Sequence, residues 1–566
     1  MKKLFLVTLL TTLSVLTHSQ SSSVFWGDDM KIKRGTTELN IITADKTGVY
    51  VQEGGVRYFT IGRRNMTGVK FRKFDKFYNE VYEEDFKQEL KGKELNRIVP
   101  FKDKLFIFAD DYDKKEKRYI TFAAEIDKSS GKLKGDWKEI ASFERESKND
   151  DYEFGIIPSA DSSAMVLVAD ISNKEQASIK VLVMNEALQQ KSSTVINLEF
   201  PKNTYELDDI LVTADNKIVV SGKVFEEVQV KKKRTRLMFK KLAIEKFDAT
   251  GKKLFDLPTT SAGKIMLSAK IISNKTGDLF VCGYYSNDAR SKEVNGIVVN
   301  RINPENGNII MTTEKVIDPT LIGNFTDDSE DENDKETKQS KAASKKAADD
   351  DELDGFSADY RFRRAYIGQD NSILLIAEKY RFDVYTYTES NYVNGRWTYR
   401  TVTVYRYTCG DIMTTKLDNQ GNIKFVNVIP KSQVETIRGA GPYMSGGGFS
   451  SHIFISGGLP FYSSFNCMPY KNKLVFYFND NDKNIAVTKT SQTAKAVYNF
   501  RKSSCYTVTL DLETGAVTRK MLFANDDEPI AMVRHGMLSN NELFLIAFRN
   551  SMLGKSSIKL GKITVK

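Results

Sequence analysis

The chain of 566 residues carries a formal net charge of +10 and is 40% hydrophobic, 28% charged and 11% aromatic. This composition argues against a disordered chain and is typical of a β-rich protein whose exposed strand faces are polar. Beyond the N-terminus, no apolar run approaches the roughly 18 residues that a transmembrane helix needs, so no membrane span is expected once a signal sequence is removed.

Residues 1–19 are typical of a secretory signal sequence, because Lys2 and Lys3 precede the apolar run 4–16 and small residues lead to Gln20. We therefore expect an exported protein, located in the periplasm, on the outer surface or in the medium. The mature chain would keep 82 basic and 74 acidic residues. This excess of positive charge favours an acidic protein, an acidic glycan or a lipid head group as partner. Nucleic acid is not expected, because an exported protein seldom meets it.

The stretch from Ile98 to Phe143 predicts one antiparallel meander of four short strands. Its apolar residues alternate at period two in the segments IVPF, KLFIFA, RYITFAAEI and WKEIASF, which polar turns separate. The strands of such a unit are called a, b, c and d below.

Two turn signals recur along the chain in phase with this unit. The first is an Asp or Asn just before an apolar b strand, and it occurs at Asp45, Asp103, Asp161, Asp215, Asn274, Asp370, Asn472 and Asn540. The second is an Asp or Asn followed by Gly in the c–d turn, and it ends at Gly131, Gly251, Gly307, Gly421 and Gly515. Asp and Asn close turns on their own backbone, and Gly supplies the positive φ that such hairpins require.

Eight copies of the first signal predict an all-β fold over residues 20–566, a single β-propeller of eight four-stranded blades, with seven blades as the alternative. The last repeat offers an a strand near Ile530 to Met537, a b strand at Leu543 to Phe548 and a c strand at Ile558 to Val565. We expect Val24 to Lys33 to supply its fourth strand, which would close the ring through the N-terminal segment.

The c–d turns DLETGAV and NPENGNI resemble the turns of the quinoprotein-type eight-bladed propellers. This resemblance implies the propeller fold. Those enzymes also share a docking tryptophan in each blade, acidic calcium ligands and a vicinal cysteine pair. This sequence has three Trp, and its four cysteines are separated: Cys282, Cys409, Cys467 and Cys505. We therefore expect this protein to have neither the cofactor nor the dehydrogenase activity of the quinoprotein enzymes.

Three inserts interrupt the repeats. Residues 326–354 are acidic and then rich in Lys and Ala, and we expect them to be disordered between blades five and six. Residues 438–460 are Gly-rich and are expected to form a flexible lid between blades six and seven. Residues 380–408 are two alternating strands around Asn394-Gly395, which predicts a projecting β-hairpin, called the arm below.

The register of the arm follows from its turn. Counting outward places Glu389 opposite Arg400 and Asp383 opposite Arg406, two pairs of opposite charge on one face. The other face carries the candidate binding residues: Phe382, Tyr392, Trp397, Tyr399, Tyr405 and Tyr407. Such an aromatic face either packs on a neighbouring blade or engages a partner.

Catalytic signatures are sparse. Beyond the signal sequence the histidines are His452 and His535, which excludes a His-rich metal centre and leaves few options for a Ser-His-Asp triad. The Asp-rich segments 110–113 and 479–482 are predicted to be b–c hairpin tips and not calcium loops. We therefore expect no metal, no cofactor and no catalytic residue, and a binding or assembly scaffold of the cell envelope. The alternative is a hydrolase or lyase that acts on a polysaccharide through carboxylates at the channel mouth.

Overall fold

The structure is a computed structural model, and it describes residues 22–31, 38–58, 64–144, 154–173, 175–231, 234–257, 259–261, 264–287, 294–317, 359–393, 395–439, 460–489, 491–526, 529–549 and 557–565. The predicted signal sequence, the acidic insert 326–354 and positions 440–459 of the Gly-rich insert lie outside these residues. Within them, no helix combines the length and the apolar character needed to cross a membrane.

The first half of the chain forms two N-terminal strands and four sheets of four strands each. The N-terminal strands are β1 (Ser22–Trp26) and β2 (Met30–Lys31). Blade one contains β3 (Glu38–Asp45), β4 (Gly48–Tyr58), β5 (Arg64–Phe74) and β6 (Glu80–Asp85). Blade two contains β7 (Glu94–Phe101), β8 (Lys104–Asp113), β9 (Arg118–Ile126) and β10 (Leu133–Glu144). Blade three contains β11 (Phe154–Pro158), β12 (Met165–Asp170), β13 (Ser178–Met184) and β14 (Gln190–Asn197), and blade four contains β15 (Tyr205–Val212), β16 (Ile218–Lys231), β17 (Arg234–Phe247) and β18 (Lys253–Leu257).

The second half repeats this pattern with additions. Blade five contains β19 (Thr260–Ser261), β20 (Lys264–Ser273), β21 (Leu279–Ser286), β22 (Gly296–Ile302) and β23 (Ile309–Val316). Blade six contains β24 (Asp359–Ile367), β25 (Ile373–Val393), β26 (Arg396–Leu417), β27 (Ile423–Ile429) and β28 (Gln433–Gly439). Blade seven contains β29 (Asn466–Tyr470), β30 (Lys473–Asp480), β31 (Ser504–Asp511) and β32 (Val517–Ala524), and blade eight contains β33 (Ile530–Ala531), β34 (Met537–Ser539), β35 (Glu542–Arg549) and β36 (Ser557–Val565).

Eight antiparallel sheets thus follow one another along the chain, each with the a-b-c-d order of a meander. The chain is an eight-bladed β-propeller. Strands b are near-continuous apolar runs, and β12 and β21 are buried along their whole length. Both of their faces are covered because each blade is sandwiched between two others. Successive a strands contact one another, as β15 does β20 and β20 does β24, which is expected of strands that converge on a central channel.

The ring is closed by the N-terminal segment, as predicted. β1 pairs with β36 from Ser22 opposite Val565 to Trp26 opposite Gly561, and β2 continues the pairing. The Trp26 ring packs edge-on against Phe523 of blade seven, with 5.2 Å between ring centroids. A Cβ at Gly561 would lie 2.3 Å from the Trp26 ring, so the bulky ring and the glycine fit as a pair.

The c–d turns also form as predicted. All five glycines of the second turn signal have positive φ, between 72° and 94°. In blade two, the Gly131 N–H donates to the Asp127 carbonyl at 2.7 Å, and the Asp127 carboxylate accepts from the Ser129 N–H at 2.7 Å. In some a–b turns the left-handed residue is a neighbour of the signal Asp, such as Ser162 or Asn216, whereas in blade eight the signal residue Asn540 is itself left-handed, with a φ of 50°.

Topology places the described additions on one face of the ring. In an a-b-c-d meander the b–c hairpin and the d–a connection lie at the same end of the blade. This end, called the insertion face, therefore carries the arm, residues 460–465 before β29, the described part of the segment 481–503 of blade seven and the end of the b–c hairpin of blade four.

Candidate functional site at the insertion face

The arm has the register that its turn predicts. β25 and β26 pair continuously through Glu389–Arg400 and Asp383–Arg406, and Val393 pairs with Arg396. The opposite face carries the six candidate binding residues as pairs or near neighbours: Phe382 with Tyr407, Tyr405 with Val384, Tyr392 with Trp397, and Tyr399 with Ser390. The sequence therefore brings the predicted aromatic face together.

That aromatic face is divided into a covered base and an exposed tip. We call 388–401 the tip, and the remaining residues of the arm the base. In the base, Tyr405 and Tyr407 are 3% and 4% exposed, and Phe382 stacks on Tyr405 with 6.4 Å between ring centroids. In the base, β28 pairs with β26 from Thr403 to Cys409 and makes a three-stranded sheet.

In the tip, Tyr392, Trp397 and Tyr399 are 63%, 59% and 72% exposed. The Tyr392 and Trp397 rings lie 5.2 Å apart at 59°, and Tyr399 follows on the same face. Within the described residues, the pairing of β26 with β28 runs as far as Thr403 opposite Gly439, so the tip is paired only within its own hairpin. The candidate residues thus separate into three that support the arm and three that face solvent.

The second face of the base is also apolar, which the sequence analysis missed. Tyr385, Tyr387, Val402 and Val404 are buried as one cluster, and Tyr387 donates through its hydroxyl to Glu389 at 2.8 Å. These residues lie on the face that carries the two charge pairs. The sequence signal for this second apolar face is the pattern V-x-V opposite Y-x-Y.

The inner ends of several blades share a backbone irregularity next to the channel. Five a strands contain a one-residue bulge in the middle or first half of the strand. The bulged residues are Ile42, Asn96, Asp208, Leu267 and Arg363. The b-strand residue that pairs two positions before each bulge is polar: Gln52, Asp110, Lys223, Ser286 and Glu378. A bulge re-aims a side chain locally, and here it gives successive blades an equivalent polar position.

Two of these positions are joined by direct contacts. Asn96 donates through its side-chain amide to Asp110 at 2.9 Å, and Arg363 binds Glu378 at 2.8 Å. Burial raises the pKa of Asp110 to about 7, although hydrogen bonds from Asn96 and Thr121 oppose the shift. In blade four the acidic residue, Asp208, is on strand a and the basic residue, Lys223, is on strand b, the reverse of blade six. Burial raises the pKa of Asp208 to about 6, and the charge of Lys223 opposes this shift.

Glu378 is the centre of a buried polar cluster between blades six and seven. Its carboxylate and the Lys431 ammonium are both fully buried, 2.9 Å apart, and Ser464 donates to it at 2.8 Å. Burial alone would raise the pKa of Glu378, but Lys431 and Arg363 outweigh it and hold the pKa below its usual value. Lys431 also donates to the Cys409 carbonyl at 3.0 Å.

Side-chain amides extend this cluster towards blade eight. Gln433 donates to the Asn479 carbonyl at 2.7 Å, and Asn479 donates to the Ala531 carbonyl at 2.8 Å. Arg519, fully buried, binds Asp480. The segment 479–482 is therefore not the hairpin tip that the sequence predicted, since its first two residues are buried and anchor the segment that follows.

Glu435 of β28 fixes the next chain segment. Its carboxylate oxygens accept from the backbone N–H groups of Phe461, Tyr462 and Ser463 at 2.7, 2.8 and 2.8 Å. Burial raises the pKa of Glu435, and these three donors oppose the shift. Beside them lies a cavity of about 290 Å³ between β28 and the 481–503 segment of blade seven.

The channel-facing end of blade six is rich in cations. The guanidinium groups of Arg361 and Arg363 lie 4.6 and 4.8 Å from the centroid of the Tyr380 ring. From blade eight, Arg534 faces the same region, and its pKa is lowered by burial and by the charge of Arg363. Its neighbour His535 donates through Nε2 to the Pro460 carbonyl at 2.9 Å, so that nitrogen does not serve as a base.

The described residues contain no group of three or more His, Cys, Asp or Glu side chains that could hold a metal ion. His452 lies outside those residues. The four cysteines are buried and unbridged, and Cys467 and Cys505 occupy strands a and c of blade seven, as the sequence indicated.

No protein-family model matches this sequence, and no curated protein matches it. Among solved structures, the polysaccharide lyase Uly1 is 8% identical with a TM-score of 0.33, over 83% of this chain and 89% of that one. An oligogalacturonate lyase in complex with manganese is 8% identical with a TM-score of 0.32, over 84% and 96%. An α-L-arabinanase of Penicillium chrysogenum is 10% identical with a TM-score of 0.24, over 53% and 99%. At these values the likeness says nothing about the activity of this chain.

Proposed function

We propose that the protein is an exported binding or assembly protein and that the tip of its arm is the recognition element. The observation that carries this proposal is the exposure of Tyr392, Trp397 and Tyr399 on one face of a two-stranded ribbon. Aromatic side chains are over-represented among the residues that dominate binding energies. The rigid ring and the anchored base would hold these side chains in place before a partner arrives.

The contrast within the arm supports this assignment. The same aromatic face is buried at Tyr405 and Tyr407, where β28 extends the sheet, and is exposed at Tyr392, Trp397 and Tyr399 in the tip. A face that served the fold alone would be covered along its length, because exposed apolar area costs free energy. The other face of the tip carries exposed Arg396 and Arg400, which fits a partner with acidic groups, a protein or an envelope glycan or lipid head group.

The test is the double variant Trp397→Ala/Tyr399→Ala. We expect it to weaken partner binding by about 2 kcal/mol or more, with little change in the melting temperature, because both side chains are exposed. The matched control is Thr388→Ala/Thr401→Ala, which alters an exposed cross-strand pair on the same face without removing a ring.

Cross-linking on intact cells followed by mass spectrometry would identify the partner and the compartment together. The same partner should be captured by the wild type and the threonine control and lost with the aromatic variant. A large loss of stability in the aromatic variant, with binding retained per folded molecule, would end the proposal.

Catalysis at the channel mouth is a second candidate, favoured by one observation. Asp208 is a bulged residue of a channel-lining strand, and burial raises its pKa to about 6, so part of it is protonated near neutral pH as a general acid requires. Incubation with acidic and neutral polysaccharides would test this. Release of new chain ends by the wild type, and its loss in Asp208→Asn, would support an enzyme.

A further inference from the structure

We propose that the cavity between β28 and the 481–503 segment of blade seven binds a single acidic sugar ring, or two linked rings. It lies beside the base of the arm, away from the exposed tip, and goes beyond the recognition role proposed above. Its volume of about 290 Å³ is at the low end of the range of about 300–1,000 Å³ found for small-molecule sites. One or two rings therefore match its size.

The walls of the cavity are fixed before any ligand enters. On one side, Glu435 holds the backbone of Phe461 and Tyr462 through hydrogen bonds of 2.7 and 2.8 Å. On the other side, β28 is tied to blade seven, because the Val434 N–H donates to the Val497 carbonyl at 2.8 Å and the Val497 N–H donates to the Ser432 carbonyl at 3.0 Å. Fixed walls reduce the ordering cost of binding.

The inner surface is aromatic. Phe461 and Tyr462 come from the segment that Glu435 holds, and Phe500 faces Tyr462 with 5.8 Å between ring centroids. An aromatic ring has an electron-rich face, which attracts the slightly positive C–H groups on the flat side of a sugar ring. Thr436 and Asn499 line the same cavity and supply polar atoms for sugar hydroxyl groups.

The available charge at the cavity is positive. Asn499 accepts from the Arg501 N–H at 3.1 Å and caps a short 3-10 turn, which leaves the side chains of Arg501 and Lys502 exposed at the rim. Both line the cavity. The acidic group in the wall, Glu435, already accepts three backbone N–H groups. The two rim cations therefore favour a ligand that carries a carboxylate.

Titration calorimetry on the full chain with three probes tests this inference. D-glucuronate is the acidic ring, D-glucose is the same ring without the carboxylate, and benzoate is an aromatic acid without the sugar. We expect saturable binding of glucuronate and at least tenfold weaker binding of the other two probes. In Arg501→Gln/Lys502→Gln, glucuronate affinity should fall at least tenfold.

The matched control is Lys489→Gln/Lys495→Gln, which removes two exposed charges from the same segment outside the cavity and should leave affinity unchanged. An equal loss in both variants would show general attraction of anions and overturn the site. So would the absence of saturable glucuronate binding, or tighter binding of benzoate. Trp397→Ala/Tyr399→Ala should leave glucuronate binding intact, so this inference and the role of the tip succeed or fail separately.

Discussion

Blades two and six share a one-residue bulge in strand a, but the polar side chains at this bulge differ in chemistry. In both, a bulge in strand a turns a polar side chain towards the same position of strand b. In blade two this joins an amide to a carboxyl, Asn96 to Asp110, whereas in blade six it joins Arg363 to Glu378. Blade six then adds Lys431 from the chain beyond its d strand. The two blades therefore share the bulge and the position of the polar pair, whereas the charge of the residues at that position differs between them.

The largest expected loss of stability follows removal of the buried carboxylate of blade six. Glu378→Ala leaves the buried cations Lys431 and Arg363 without their shared partner, which should cost about 3–5 kcal/mol of unfolding free energy. Urea unfolding of the purified variant measures this. The control is Glu186→Ala, which breaks an exposed pair with Lys102 and should cost at most about 1 kcal/mol.

Equal effects of Glu378→Ala and Glu186→Ala would mean that water reaches the cluster. Blades two and six would then differ in the residues of their polar pairs but not in what those pairs contribute to stability. Glu378→Gln, which keeps the shape and removes the charge, separates the loss of charge from the cavity left by alanine.

The second prediction concerns pH and uses the carboxyl of blade two. The pKa of Asp110 is raised by burial from 3.8 to about 7, so its protonated form stabilises the fold below pH 4 and this stabilisation is lost as the pH rises towards 7. A pKa change of one unit corresponds to about 1.4 kcal/mol of unfolding free energy. Because Asp110 is partly exposed, we expect a smaller loss of stability than the full shift implies, about 2 kcal/mol. Asp110→Asn should remove this loss, measured as melting temperature against pH.

His535 acts in the same pH range with the opposite sign, whereas Asp208, whose pKa burial raises to about 6, acts with the same sign as Asp110. The pKa of His535 is lowered by burial from 6.5 to about 4, so the stability it provides is present above pH 6.5 and is lost as the pH falls towards 4. The contribution of Asp110 is therefore the difference between the pH profiles of the wild type and Asp110→Asn, and this difference should grow in favour of the variant as the pH rises from 4 to 7. A pH profile that is the same in the variant and the wild type would show that Asp110 has an ordinary pKa.

Much of the fold could be predicted because it rests on local signals. The glycines of the c–d turns predict positive φ at their positions, and the Asn394-Gly395 sequence predicts the turn that sets the register of the arm. The bulges could not be predicted, since one extra residue such as Asn96 or Arg363 shifts the alternation without a composition signal. The third strand beside Tyr405 and Tyr407 could not be predicted either, because β28 comes from beyond the d strand and its pairing with β26 is not local.

The smallest expected effect compares the c–d turns of the same two blades. Gly131 in blade two and Gly421 in blade six have φ of 81° and 94°, so alanine at either should cost about 1 kcal/mol through its backbone alone. A Cβ at Gly131 would also lie 2.5 Å from the Tyr82 ring of blade one, whereas at Gly421 the nearest atom, in the Phe280 ring of blade five, is 3.0 Å away. Gly131→Ala should therefore be the more destabilising, by roughly 1 kcal/mol.

Thermal unfolding of the two alanine variants in parallel decides this point. The comparison separates two requirements of the glycine-containing c–d turns, a left-handed backbone and room for the blade before it. Equal losses would mean that the Tyr82 side chain moves aside, and that the backbone requirement alone keeps glycine in these turns. A greater loss for Gly421→Ala would mean that the tighter packing lies between blades five and six, next to the arm, and not between blades one and two.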